Sequence, residues 1–391
     1  MTFVTLDNKD WCKGIYKDGA LHTEEIPKDL RRTWKYSSFL EDKEIEFAYL
    51  YVSDKQMTDV CPDHLSDRWQ SLTRKLKAYH SSFVESKLSL EDNCFFDLVP
   101  EQFLLELCET KVQIINFVLD THKKPENYNF LLEIEKELLK ISEKKINIDC
   151  SMLKSNLHDK RARFLLEKVK QVKPFIDYNL FGSKTGRLTV RTGSFPILNL
   201  DTKYKNILKP TNDLFLELDY NAAELRTLLS LSGQEQPKED IHSWNAKRLN
   251  LTREEAKQQI FSWLYGSTKI DSSKFKEFFK LNKIMDQFYD GSTITNLYNR
   301  KINSDQFHSL NYLIQSTTSD LVLEQFVKLT KILKNKKSFV CFLVHDSIVI
   351  DLHKEDRELV KVLIKEFGKT RLGEFPVNTS VGKNYGELKK I

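Results

Sequence analysis

Two aspartates stand where apolar runs stop. Asp219 follows the run LFLEL (214–218), and Asp346 interrupts SFVCFLVHDSIVIDLH (338–353). A carboxylate at the end of a strand is held by a rigid element and so is presented in a fixed direction. Two such groups brought together would bind divalent cations, and a cation pair about 3.5–4 Å apart is a common device for in-line phosphoryl transfer. One ion lowers the pKa of an attacking hydroxyl. Both neutralise the phosphoryl charge, and the second stabilises the leaving oxygen. The two residues are 127 positions apart (346 − 219), so this chemistry requires the strands they end to be neighbours in one sheet. Each also has an ordinary structural reading. Asp219 can N-cap a following helix, and His345, Asp346 and Ser347 can form a surface turn.

A second group of residues repeats every four positions. In TREEAKQQIFSWLYG (252–266) these are Arg253, Lys257, Phe261 and Tyr265. A step of four advances about 400° around an α-helix, so they form one slowly drifting stripe roughly 18 Å long. Two cations followed by two aromatics suit a nucleoside triphosphate, with cations on the phosphates and a ring against base or sugar. The same pattern describes an amphipathic helix with a solvated basic face and inward aromatics. Thr252 is the expected N-cap, with Glu255 completing a capping box.

The elements that must hold these groups follow from periodicity. DLFLELDY reads as a strand and NAAELRTLLSLSG as a helix closed by Gly233. Residues 338–353 read as a hairpin with its polar residues at the tip, preceded by a helix near 305–333 and followed by a terminal helix and strand. Upstream, PEQFLLELCETKVQIINFVLDTH and NYNFLLEIEKELLKISEKK have helical spacing broken by KKPEN, which predicts an antiparallel helical hairpin. Another helix is expected at about 157–172. FGSKTGRLTVRTGSFPILNL (181–200) reads as loop with short extended pieces, and residues 1–90 as a small α/β or irregular region. No internal repeat or low-complexity tract interrupts the pattern.

Composition bounds the class. With 391 residues, 40% hydrophobic and 30% charged, and only 12 Gly and 9 Pro, the chain is globular with ample core. Its 25 Phe and 14 Tyr can fill cores or serve as stacking surfaces, and a net charge of +5 permits a polyanionic partner without requiring one. The six cysteines, at 12, 61, 94, 108, 150 and 341, have no CxxC or zinc spacing and read as free thiols of a reducing compartment. The N-terminal stretch has no basic-then-apolar leader, and no run of 18 apolar residues occurs. The expectation is an intracellular, cytoplasmic, non-membrane protein.

Taken in order, these stretches resemble the family A, DNA polymerase I-like DNA polymerases over about residues 95–391. DYNAAELR resembles that family's first palm motif, REEAKQQIFSWLYG its fingers-helix motif and VHDS its third motif. TGRL (185–188) with nearby Asn199 resembles the segment contacting the primer end. DIHSW (240–244) supplies the His before the fingers helix. NYLIQSTTSD (311–320) resembles the palm helix facing the terminal base pair, and FPVNTSVGKNYGEL the closing strand. The resemblance implies a helix-rich α/β (α+β) right-hand polymerase fold with an antiparallel palm sheet, fingers and thumb. It divides the chain into a small N-terminal region (1–90), a thumb-like helical hairpin (91–175), palm (176–235), fingers (236–304) and second palm part (305–391).

It further implies primer-dependent, template-directed addition of dNTPs to a DNA 3′ end with two Mg2+ ions and release of pyrophosphate. Asp219 and Asp346 would hold the metals, helped by the Tyr220 carbonyl. Arg253, Lys257 and His242 would bind triphosphate, with Lys257 donating a proton to pyrophosphate. Phe261 would lie against the incoming sugar, and Tyr265 and Gly266 near the template base. Glu224 would be a steric gate against a 2′-hydroxyl, paired with Tyr265. Arg187, Asn199, Asn311, Gln315 and His345 would contact primer and template.

The chain departs from the family in places. Ser347 stands where most members have Glu, a feature shared with single-subunit RNA polymerases, whereas Glu224 and the ELR turn match the DNA enzymes. Ser262 replaces a usual Gly, and the stretch from Gly266 to Asn311 is short, implying reduced fingers. A D-x-E triplet for an editing exonuclease occurs only at Asp42-Lys43-Glu44, outside an apolar run, so no active exonuclease is expected. The compact size points to a phage-type enzyme acting in a host cytoplasm, with any proofreading or processivity function on a separate subunit. An RNA polymerase and a catalytically silent DNA-binding subunit are the competing readings.

Overall fold

The computed structural model describes residues 1–9, 11–40, 44–53, 55–265 and 273–391, so Asp42 and Gly266 lie outside the described residues. The chain divides into two units, Met1–Lys136 and Glu137–Ile391.

In the first unit, β1 (Phe3–Lys9), β2 (Cys12–Lys17) and β3 (Ala20–His22) form an antiparallel meander. Lys17 pairs with Ala20, leaving Asp18 and Gly19 as a two-residue loop with φ of 51° and 83°. Positive φ at both positions matches the right-handed twist of the flanking strands. Two long helices follow, α1 (Asp63–Glu85) and α2 (Glu101–Thr121). Leu65, Trp69 and Leu72 of α1 pack with Phe103, Leu104 and Leu107 of α2 in one apolar core. The helix α1 lies inside the region expected to be small α/β or irregular. Its apolar residues keep helical spacing, but charged residues dilute them.

The expectation of free thiols is corrected at two positions. Cys12 and Cys94 form a disulfide across 82 residues, while Cys61, Cys108, Cys150 and Cys341 are free. The Asp7 carboxylate gathers this corner by accepting from Lys9 Nζ (2.7 Å) and the Phe95 amide (3.1 Å). Long-range convergence of this kind has no local spacing signal.

Helix α3 (Tyr128–Ser142) spans the boundary between the units, and the second unit adds α4 (Lys160–Gln171). The chain then runs through β4 (Leu214–Tyr220), α5 (Ala223–Leu231), α6 (Ile241–Leu249), α7 (Arg253–Leu264) and α8 (Leu281–Phe288). The short pair β5 (Thr293–Thr295) and β6 (Lys301–Asn303) leads into α9 (Gln306–Ile332). The closing elements are β7 (Phe339–Val344), β8 (Ser347–Leu352), α10 (Val360–Gly368), β9 (Val377–Gly382) and β10 (Lys389–Lys390). Thr252 and Glu255 make the reciprocal capping box at the start of α7.

The main sheet is antiparallel, in the order β7-β8-β4-β9-β10. Successive side chains of β4 alternate between its faces. Tyr220 stacks on Phe367 of α10 at 4.1 Å and donates its hydroxyl to the Phe367 carbonyl. Leu216 and Leu218 share that covered face and are fully buried, each contributing roughly 1.5–3 kcal/mol. Glu217 and Asp219 therefore occupy the opposite face. This packing fixes the register of β4 and with it the direction of Asp219, since a one-residue slip would send Asp219 into the core. A separate apolar cluster joins α5, α6, α7, α8 and the start of α9 through Leu225, Ile241, Ile260, Phe279, Ile284 and Leu313. Among the described residues, no helix is long and apolar enough to cross a membrane.

Candidate active site

The β7–β8 hairpin closes through Val344 paired with Ser347, leaving His345 and Asp346 as the tip. His345 adopts φ 56°, the left-handed conformation a two-residue loop requires. Ser347 Oγ donates to the Val344 carbonyl at 3.0 Å. Ser347 is also the cross-strand partner of Asp219, so Asp346 sits one residue from the position facing Asp219. The sheet thus brings together two carboxylates that are far apart in sequence. The helix-cap alternative for Asp219 does not hold. The N-cap of α5 is Ala222 at φ 56°, and no side chain caps it.

Burial raises the pKa of Asp219 to about 6, and the Asp346 charge adds to the rise. Glu217 pushes the same way, while the Asn378 amide, donating to Asp219 Oδ2 at 3.2 Å, and Lys390 oppose it. Neither Asp219 nor Asp346 makes a salt bridge among the described residues. The Asp346 charge beside it disfavours the ionised form of Asp219, and a bound cation would relieve that penalty.

Seven of the sequence candidates line one pocket of about 240 Å3: Arg187, Glu224, Phe261, Tyr265, Gln315, His345 and Asp346. At its rim the Glu224 carboxylate is shared. Arg187 Nη2 donates to Oε1, and the Tyr265 hydroxyl donates to Oε2 at 2.8 Å. Burial and then the bond to Glu224 push the Tyr265 phenol up to about 12. The rings of Phe261 and Tyr265 lie nearly parallel, 6.2 Å apart.

The loop carrying Arg187 is pinned to α9. Ser319 Oγ donates to the Gly186 carbonyl at 2.8 Å, and Thr185 Oγ1 to Gln315 Oε1 at 3.4 Å. Gly186 has φ 75°, and a Cβ there would lie 2.5 Å from Arg300 Cζ, so only glycine allows both the turn and this approach. Arg300 is paired through Nε and Nη2 with the fully buried Asp320 carboxylate, which also accepts from Asn296 Nδ2 at 2.8 Å. The sequence alone does not single out Arg300, Asn296 or Asn378. Asp320 carries the available signal, because a carboxylate on a buried helix face demands a donor. Which donor answers it is a tertiary matter.

The remaining candidates lie outside the lining of this pocket. Asp240 caps α6 by accepting from the Ser243 amide and also accepts from Arg253 Nε at 3.0 Å. Burial raises the Asp240 carboxyl, but the bonds from Arg253 and Ser243 outweigh it and bring the pKa to about 2. Lys257 is exposed and makes no ion pair among the described residues. His242 is buried 6.0 Å from the Phe261 ring, with Nδ1 lacking a partner among the described residues. Its pKa is lowered, first by burial and further by Arg253 and Lys257, against Asp240. Asn311 lies one turn before Gln315 on α9, its buried Oδ1 without a partner among the described residues. Asn199 ends the short turn Ile197–Asn199, whose Leu198 lines the pocket. In the first unit, Asp7, Cys12 and Cys94 form a three-donor cluster, but its two sulfurs are bonded to each other.

No protein-family model matches the chain, and no curated protein matches it. Solved structures do. The POL domain of Pol1 from M. smegmatis, in complex with DNA primer-template and dNTP, is similar at a TM-score of 0.55 and 13% identity, over 73% of this chain and 76% of that one. The likeness shows an α/β polymerase-domain fold.

Proposed function

We propose that this chain is a primer-dependent, template-directed DNA polymerase of the family A type, adding dNTPs to a DNA 3′ end and releasing pyrophosphate. One observation carries the reading. Asp219 and Asp346, without a salt bridge among the described residues, meet at the ends of adjacent strands, and Asp346 borders a pocket lined by Arg187, Glu224, Phe261 and Tyr265. That the similar Pol1 domain was solved with primer-template and dNTP supports the same partners here.

The donor set fits divalent cations, because two mutually repelling carboxylates with hard oxygen atoms are what such ions take. Asp219, Asp346 and the Tyr220 carbonyl would hold Mg2+. When bound, the ions supply charge neutralisation of the phosphoryl group and a lowered pKa at the primer 3′-hydroxyl. The protein's own groups orient the reactants. Arg253, Lys257 and His242 bind the triphosphate, and Lys257, with no carboxylate paired to it among the described residues, gives a proton to departing pyrophosphate. Phe261 lies against the sugar, Tyr265 borders the template base, and Glu224 walls off the 2′ position. Arg187, Asn199, Asn311, Gln315 and His345 position primer and template.

In this reading 176–235 and 305–391 are palm, 236–304 fingers and 91–175 thumb. Primer extension with dNTPs or rNTPs and magnesium tests it. Primer-dependent dNTP addition is expected, with no shortening of a mismatched primer end. Primer-independent rNTP polymerisation would favour an RNA polymerase, and DNA binding without extension would favour a silent subunit.

A further inference from the structure

We propose that Arg187 is a sugar-selectivity residue: it holds the Glu224 carboxylate fixed, so that Glu224 rejects a 2′-hydroxyl sterically instead of turning to accept a hydrogen bond from it. The inference rests on the polymerase reading and extends it to a residue whose expected partner was the primer. An ionised carboxylate offers only acceptor sites. A mobile Glu224 with free lone pairs would accept a hydrogen bond from a ribose hydroxyl and so attract ribonucleotides. The structure has it otherwise. Oε1 receives Arg187, Oε2 receives the Tyr265 hydroxyl, and the Glu224 side chain is 13% exposed against 48% for Arg187. With each oxygen held by a donor, the carboxylate cannot swing to meet a ribose hydroxyl, and what faces the pocket is an immobile wall.

The clamp is itself built. Arg187 follows Gly186, whose carbonyl is held by Ser319 and whose lack of a side chain lets the Arg300 guanidinium lie against it. Arg300 is fixed in turn by buried Asp320. The chain of contacts from Asp320 through Arg300, Gly186 and Arg187 therefore ends on the gate. Tyr265, at the end of α7, holds the other oxygen, so the gate is held jointly by the 185–188 loop and the helix α7.

Single-nucleotide insertion kinetics with paired rNTP and dNTP test this. Any loss of a primer contact slows both substrates and cancels in the ratio of their kcat/KM values. The rNTP:dNTP ratio should rise roughly tenfold in Arg187→Ala, as expected for one lost pocket contact. Arg187→Lys, which keeps the charge without the planar fork, should lie between that variant and the parent. Tyr265→Phe, which keeps the ring and loses the second donor, should move the ratio in the same direction. Arg187→Ala combined with Glu224→Ala should go no further than Glu224→Ala alone, because both act through one group. A ratio that stays put or falls in Arg187→Ala, or that adds to the Glu224→Ala effect, overturns the inference while leaving the polymerase reading intact. A parent protein that extends primers with neither substrate overturns the polymerase reading itself.

Discussion

Asp320 and Asp219 belong to the same unit, and their surroundings are opposite. Asp320 is fully buried, held by the fork of Arg300 and by Asn296. Asp351 on β8 is satisfied in another way. It is fully buried too, with the amides of Thr211 and Asn212 donating to its carboxylate at 2.6 and 2.9 Å. Asp219 receives one long amide bond and is raised in pKa by the charge of a second carboxylate. Buried acids that serve structure are matched donor for donor. An acid left with a like charge and no cation costs stability unless something outside the chain binds it. The comparison teaches where to look for function: at the mismatch, since Asp320 and Asp351 are the more buried pair.

Removing each kind of acid should have opposite consequences. Asp219→Ala or Asp346→Ala should lower dNTP incorporation by about 10³-fold or more, equivalent to about 4 kcal/mol or more. Primer–template affinity should change little, since affinity for nucleic acid is generally spread over many phosphate contacts. Near-normal extension by either variant would remove the metal assignment. Asp320→Ala acts on the fold instead. It strands buried Arg300 and should cost about 3–5 kcal/mol of unfolding free energy, read from a denaturant midpoint. An unshifted midpoint would mean that the ion pair anchors nothing.

The contrast also has a pH signature in metal-free protein. Asp219 has a folded pKa of about 6, above the roughly 3.9 of an unfolded aspartate. Between these values the folded chain holds a proton that the unfolded chain has released. Stability is therefore full below about pH 4 and falls as pH rises through about 6. Asp219→Asn should flatten that limb and gain at most roughly 3 kcal/mol over the parent at neutral pH. Parallel pH–stability curves for the two proteins would contradict the shift. The smallest effect concerns the gate: Glu224→Ala should cost about 1–3 kcal/mol of discrimination against rNTPs, and an unchanged ratio would make Glu224 an ordinary helix residue.

Much of this site is legible in the amino-acid sequence. Asp346 stands out because an apolar run seldom tolerates a charge except at a hairpin tip, and the tip is where it lies. The α7 capping box and the β4 strand follow from local pattern, which short-range chemistry decides. What the sequence hides is tertiary. Arg300 follows an ordinary polar turn, and nothing nearby says that its partner is Asp320, 20 residues on. Asn378 reaches Asp219 only because β9 pairs with β4. The disulfide between Cys12 and Cys94 likewise depends on packing across 82 residues. Helix α1 is obscured for another reason, because charged positions mask its widely spaced core residues Leu65, Trp69, Leu72 and Phe83.

The proposed divalent-cation site is formed jointly by Asp219 and Asp346. Its most direct test is Mn2+ binding, followed by electron paramagnetic resonance, in a complex of the protein with dNTP and a primer–template whose primer lacks a 3′-hydroxyl. The parent protein should bind Mn2+ beyond what dNTP and DNA bind alone, and Asp219→Ala and Asp346→Ala should each abolish that excess. Undiminished Mn2+ binding in both variants would rule such a site out.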